Sequence, residues 1–224
     1  ITAYNGTDDD VVIPSEIEGV PVKAIGRQVF AGKGIESVQI PEGVETIGTG
    51  SFIKNNLTKV TLPSTVKTIE ALAFANNKSL VEINLNEGLE TIENQVFQNT
   101  PLEGATIIIP STVMNIGNSA FFSQSIDQML IKGDENSASI KFGNPIGGNG
   151  LNIKFESPKK NAELLWNSFK SGDYDNYVDL GTIEVSANTR DELKFALENK
   201  VNVKIVGIYK AEDSGAEDIR VAKP

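Results

Sequence analysis

TLPSTVKTIEALAF, residues 61–74, is one of four nearly identical lines in this chain. QIPEGVETIGTGSF (39–52) precedes it, and NLNEGLETIENQVF (84–97) and IIPSTVMNIGNSAF (108–121) follow. Phe30, Phe52, Phe74, Phe97 and Phe121 recur at intervals of 22, 22, 23 and 24 residues. Five positions before each Phe stands Ile25, Ile47, Ile69, Ile92 or Ile116, and three before those stands Val22, Val44, Val66, Leu89 or Val113. A period held in phase over five units predicts a solenoid, in which each unit buries its apolar residues only against its neighbours.

The unit reads mechanically. A strand of the form L-x-x-V-x-L comes first, as in Leu57, Val60, Leu62 or Leu80, Ile83, Leu85. Residues two apart on a strand share a face, so Val60 and Leu62 point inward together. Pro41, Pro63 and Pro110 end their strands because proline cannot donate to a ladder. A second extended piece, V-x-x-I, follows. A short helical turn is expected to carry the Phe, and a polar turn closes the unit at Asn55-Asn56, Asn76-Asn77 or Gly32 and Gly34. One slot after the proline holds Gly43, Thr65, Gly88 and Thr112 in successive units. A β-branched Thr resists positive φ, so the whole slot is expected to be exposed and extended.

Composition removes several classes of function. The 224 residues carry 20 basic and 30 acidic side chains, a net charge of −10. A chain this acidic repels phosphate backbones, so nucleic acid is not an expected partner. With no cysteine and no histidine, thiol nucleophiles, disulfides, the Ser-His-Asp triad and most zinc sites are unavailable. No apolar run reaches the length of a membrane-spanning helix. No cofactor and no catalytic residue are expected. Asp8-Asp9-Asp10 and the Asp173, Asp175, Asp179 group read as solvated acidic loops, since the second lacks the turn glycine of a calcium loop. Gly147-Gly148-Asn149-Gly150 opens no helix and reads as a flexible loop, not a phosphate cradle.

The pattern [IL]-P-x-x-[VL]-x-x-I-[GE]-x-x-x-F, carried most clearly by IPEGVETIGTGSF and LPSTVKTIEALAF, resembles the BspA-like leucine-rich repeats of bacterial surface proteins. VVIPSEIEGVPVKAIGRQVF resembles the first unit of such arrays, with its G-V-P-V insertion at 19–22. The resemblance covers roughly residues 1–170. It implies an α/β repeat solenoid, in which short strands and short helical turns form a leucine-rich repeat array. It also implies a secreted or wall-attached bacterial protein used for adhesion.

After Phe121 the units decay. Ile126, Met129 and Ile131 still fit a strand, residues 133–150 read as an irregular unit, and Leu151, Ile153 and Phe155 alternate like a last strand. The expected organisation is a solenoid over 1–157, a capping helix (161–170) and linker within 158–181, and a small strand–helix–strand segment over 182–224. ESPKKNAELLWNSF resembles the family's closing helix. In the last segment TIEVS (182–186) and VNVKIVGIY (201–209) read as strands, and 189–200 as a helix begun by a Thr189/Glu192 capping box. IEVSANTRDELKFALENKVNVKIV also resembles the first turns of pectate-lyase-like β-helices, so the segment is either a small unit or the beginning of a second domain.

Outward strand positions form the candidate binding face, the concave one in leucine-rich repeats. They are Ser37 and Gln39, Lys59 and Thr61, Glu82 and Asn84, Thr106 and Ile108, Gln128 and Leu130. The second column turns apolar toward its end, through Ile108 to Leu130. Either residues 182–224 fold back to cover it, the favoured reading, or it is an exposed apolar patch. The expected function is a monomeric cell-surface or secreted adhesion module that holds a host or cell-surface protein or glycan on this rigid face. A structural spacer on the cell wall, or the non-catalytic part of a polysaccharide-active enzyme, is the alternative.

Overall fold

The computed structural model describes residues 1–122, 126–133, 140–142, 152–155, 183–185 and 203–205. The first coil holds β1 (Asp10–Val12), a hairpin of β2 (Glu16–Ile17) and β3 (Val20–Pro21), and β4 (Ala24–Ile25). Each later coil contributes two strands: β5 (Ser37–Gln39) and β6 (Thr46–Ile47), β7 (Lys59–Thr61) and β8 (Thr68–Ile69), β9 (Glu82–Asn84) and β10 (Thr91–Ile92), and β11 (Thr106–Ile109) and β12 (Asn115–Ile116). β13 (Gln128–Ile131) and β14 (Lys141–Phe142) continue the series, followed by β15 (Asn152–Phe155), β16 (Ile183–Val185) and β17 (Val203–Ile205).

Strands at equal positions in successive coils pair in parallel. β4, β6, β8, β10, β12 and β14 form one six-stranded sheet. The first strands of each coil form a second column, β1 with β5, β7 with β9, and β11 with β13, β15, β16 and β17. Backbone bonds from Thr58 N–H to the Glu36 carbonyl and from Leu102 N–H to the Leu80 carbonyl link its segments. The G-V-P-V insertion forms the β2–β3 hairpin, whose two turn residues Glu18 and Gly19 have φ of 52° and 77°. Positive φ at both positions is what a two-residue type I′ hairpin turn requires.

The repeated letters are the core. All five Phe, all five Ile five positions earlier, and Val22, Val44, Val66, Leu89 and Val113 are buried. The Phe rings form a continuous offset stack, with centroids 5.1, 5.3, 5.6 and 5.3 Å apart from Phe30 to Phe121. Tyr4 closes its first end at 4.8 Å from Phe30, tilted by 45°. Such ring pairs contribute beyond their buried area.

The Phe-bearing segments are not helical, and no helix occurs among the described residues. Left-handed backbone stands two positions before each Phe and two positions after Phe30, Phe52, Phe74 and Phe97. Gln28, Gly50, Leu72, Gln95 and Ser119 have φ of 55°, 57°, 61°, 59° and 55°, and Gly32, Lys54, Asn76 and Asn99 have φ of 63°, 58°, 60° and 57°. A right-handed helix cannot contain such residues. Backbone bonding explains the choice. The Phe52 N–H donates to the Ala73 carbonyl of the next coil at 2.8 Å, and Phe74 N–H to Val96 at 3.0 Å. Ser51 and Ile53 instead bond locally to the carbonyls of Gly48 and Gly50. Alternate amides therefore serve the neighbouring coil, which the i→i−4 ladder of a helix would forbid.

Two further expectations change. Residues 133–150 hold a strand: Lys141 and Phe142 pair with Asn115 and Ile116, and Ile140 is buried. The glycine slot is not uniformly extended, because Gly43 and Gly88 have φ of 100° and 106° while Thr65 and Thr112 are not left-handed. The expected cover of the strand face by residues 182–224 falls mostly outside the described residues, which include only β16 and β17 of that segment. Ile183 and Lys154 register with Ile153 and Glu184, and Ile183–Val185 with Val203–Ile205, so both extend the sheet beyond β15. The helices expected over 161–170 and 189–200, the acidic group 173–179 and the glycine loop 147–150 lie outside the described residues.

Ser51 is the outlier of its column. Val29, Ala73, Val96 and Ala120 fill the same position in other coils, whereas the Ser51 hydroxyl is buried without a partner. An unsatisfied buried hydroxyl costs about 1–3 kcal/mol. Ser51→Ala is therefore expected to raise stability by about 1 kcal/mol, read as a higher urea midpoint at unchanged m-value.

Candidate functional site: the outward strand face

Inward residues of the first column fix which residues face out. Val60 and Ile83 are buried, as are Ile107, Ile109, Met129 and Ile131. Strand alternation then sends their neighbours to the opposite side. Ser37, Gln39, Lys59, Thr61, Glu82, Asn84, Thr106 and Ile108 are exposed, and Gln128 and Leu130 are half-buried. Register places them side by side: Lys59 beside Glu82, Thr61 beside Asn84, Thr106 beside Gln128, and Ile108 beside Leu130. Asp10 and Val12 belong to the same face, opposite Ser37 and Gln39. Sequence reading missed them because the first unit is interrupted by its hairpin and V-V-I at 11–13 is an unbroken apolar run that shows no alternation.

Much of the face is internally paired. Lys59 Nζ lies 2.8 Å from Glu82 Oε1, and Asn84 Nδ2 donates to the same oxygen at 2.9 Å and to Thr61 Oγ1 at 3.4 Å. The Ser37 hydroxyl donates to the Asp10 carboxylate. The hydrogen bond from Lys59 chiefly, then that from Asn84, holds the Glu82 carboxyl below the usual glutamate range. Both members of the Lys59–Glu82 pair are about half exposed, at 52% each. Such a pair adds little stability, but it holds four side chains in one arrangement. Toward β11 and β13 the face becomes apolar, with Ile108 47% exposed. Outside these strands, Val81 adds an exposed apolar side chain next to Glu82.

Among the described residues no group of three acidic, cysteine or histidine side chains is placed to hold a metal ion. No helix among them is long and apolar enough to cross a membrane.

A row of buried polar residues supports the face from behind, and it was read from sequence only as a polar turn. Asn55, Asn77 and Thr100 each follow a core Phe by three positions and are buried. Asn55 Nδ2 donates to the carbonyls of Phe30 and Phe52 at 2.7 and 3.0 Å, and its Oδ1 accepts the Lys33 and Ile35 N–H groups at 3.0 and 3.1 Å. Asn77 repeats this one coil later. It donates to Phe52 and Phe74 at 3.0 and 2.7 Å and accepts from Leu57 at 3.3 Å. The Thr100 hydroxyl donates to the Phe97 carbonyl at 2.7 Å. The fixed offset from Phe was the signal that could have found them.

A parallel, helix-free coil with an apolar strip, a buried amide row and one exposed strand face defines a leucine-rich repeat solenoid. The repeat profile described as "BspA type Leucine rich repeat region" matches residues 9–131 in 6 copies. The chain belongs to this BspA-type leucine-rich repeat family. A leucine-rich repeat protein from Bacteroides ovatus ATCC 8483 is similar in fold, with 24% identity and a TM-score of 0.56. The match covers 66% of this chain but spans only 38% of that protein. A leucine-rich cell surface protein from Faecalibacterium prausnitzii A2-165 matches at 17% identity and a TM-score of 0.39, over 83% of this chain and 65% of the other. The pneumococcal vaccine antigen PcpA matches at 15% identity and a TM-score of 0.36, over 88% and 77%. No curated protein matches the chain.

Proposed function

We propose that this chain is a non-catalytic interaction module of a bacterial cell-surface or secreted protein. It holds a host or cell-surface protein or glycan on the outward face of its first strand column. One observation carries the reading: the inward letters repeat from coil to coil, while the exposed letters beside them run Ser37, Lys59, Glu82, Thr106 and Gln128 in one column and Gln39, Thr61, Asn84, Ile108 and Leu130 in the other. The coils hold these side chains in fixed register, so a partner meets a surface whose ordering cost is already met. The module acts as a monomer and takes no cofactor. Membership of the BspA-type family supports a protein-binding role and a surface location.

The test is binding to arrays of host glycoproteins and glycans, using the chain and a variant with Lys59→Glu and Glu82→Lys. The swap keeps the ion pair and the fold but reverses the local charge pattern. A hit that weakens by 10-fold or more with the swap, about 1.4 kcal/mol, is expected. No hit on any array would leave the chain a spacer.

A further inference from the structure

The turns that join the two strand columns do not repeat coil by coil. They alternate: IPEGVETI (40–47), LPSTVKTI (62–69), LNEGLETI (85–92), IPSTVMNI (109–116). The glycine turns are left-handed, with φ of 100° at Gly43 and 106° at Gly88, and the threonine turns are not. Each glycine turn interlocks with the threonine turn of the coil that follows it. Gly43 N–H donates to Thr65 Oγ1 at 2.9 Å, and that hydroxyl donates to the Val44 carbonyl at 2.7 Å. Gly88 N–H donates to Thr112 Oγ1 at 3.0 Å, and that hydroxyl donates to the Leu89 carbonyl at 2.7 Å.

The residue before each glycine completes the clasp. The Ser64 N–H and hydroxyl donate to the Glu42 carboxylate at 3.0 and 2.9 Å, and the Ser111 hydroxyl donates to Glu87 at 3.3 Å. The joint between the two clasps is built differently. There Asn86 stands where other coils have proline, and its Nδ2 donates back to the carbonyls of Ser64 and Val66 at 3.1 and 2.9 Å.

Charge carries the same alternation independently over four coils, until uncharged Met114 takes the next place in the column. Lys23, Glu45, Lys67 and Glu90 stand in one column, each backbone N–H from Glu45 onward donating to the carbonyl of the residue before it in the column. Lys23 Nζ reaches Glu45 at 3.1 Å. Opposite charges on neighbouring strands stabilise, and like charges there destabilise.

We infer that the structural unit of this array is a pair of coils, a Glu-Gly coil clasped to the Ser-Thr coil after it. β5 and β6 with β7 and β8 make one pair, and β9 and β10 with β11 and β12 make the second. Each left-handed glycine turn points its N–H at the next coil, and the threonine hydroxyl there accepts it. Stacking one Glu-Gly turn directly on another removes that hydroxyl, sets Glu42 beside Glu87 and sets Glu45 beside Glu90. Coils are thus interchangeable in twos and not singly, although every coil carries the same apolar letters.

Two internal deletions test this. Removing 62–84 excises one coil and brings the Gly88 turn onto the Gly43 turn. Removing 40–84 excises a pair and keeps both alternations in phase. The pair deletion discards twice as much core, yet it is expected to melt at the higher temperature. The reverse order, or equal melting temperatures, overturns the inference. If neither deletion folds, Thr65→Val and Thr65→Ser in the full chain decide it. Valine keeps the shape and removes the hydroxyl, and is expected to lower the melting temperature by roughly 2–4 °C, the size expected of about 1 kcal/mol in a chain this long. Serine is expected to restore most of that loss. A Thr65→Val protein that melts with the wild type overturns the inference.

Discussion

Phe74→Ala is expected to destabilise the chain by about 3–5 kcal/mol, the range for removing a buried aromatic ring from a close-packed interior. Phe74 is fully buried, and its ring lies 5.3 Å from Phe52 and 5.6 Å from Phe97, each nearly parallel to it. Truncation opens a gap that both neighbours line, and neither can move to fill it without leaving the stack. The loss is larger than that of a terminal ring because two coil interfaces meet at Phe74. Urea denaturation of the variant checks this directly. A midpoint shift too small for 1 kcal/mol would remove the ring stack from the list of forces that hold the coils together.

Asn77→Ala is the second large effect, about 2–4 kcal/mol, and its physics is different. Alanine leaves no sizeable apolar gap. It leaves the Phe74 carbonyl without its donor and the Leu57 N–H without an acceptor, while the Phe52 carbonyl keeps only its bond from Asn55. Each buried group left unpaired costs about 1–3 kcal/mol, and the coil relaxes to recover part of it. Neighbouring Asn56 is the internal control. It is exposed, and its amide reaches only the Gly34 carbonyl at 3.3 Å. Asn56→Ala is expected to fall within about 0.5 kcal/mol of the wild type. Equal effects at the two positions in a thermal melt would argue against the buried amide row.

The solenoid was legible in the sequence because stacking couples residues at one fixed spacing. A residue that meets its own copy in the next coil must recur with the coil, and Ile69 and Phe74 do. The outward face was legible for the complementary reason: period two in Lys59-Val60-Thr61 fixes which side chains point away once Val60 points in. What the sequence hid was backbone conformation. Leu72 at φ 61° gives no compositional sign of a left-handed residue, so a Phe preceded by Ala-Leu-Ala looks helical by propensity. The structure overrides that propensity because the Phe74 amide is needed by the next coil. Thr65 misled in the opposite direction. Its presence in the glycine slot argued that the slot has one conformation, when it has two that fit together in sequence. Asn55 and Asn77 were seen as turn residues because asparagine favours turns; their burial depends on carbonyls contributed by two different coils.

The strand-face account is tested most directly by lysine footprinting of the chain bound to whichever partner an array identifies. Lys59 sits on the strand face, while Lys23 and Lys67 sit on the second strand column and Lys33 and Lys54 in or beside the Phe-bearing turns, all exposed. The bound partner is expected to shield Lys59 from an amine-acetylating reagent and to leave the other four as reactive as in the free chain. Shielding of Lys54 or Lys67 with Lys59 still fully reactive would place the partner on another side of the solenoid and contradict the account.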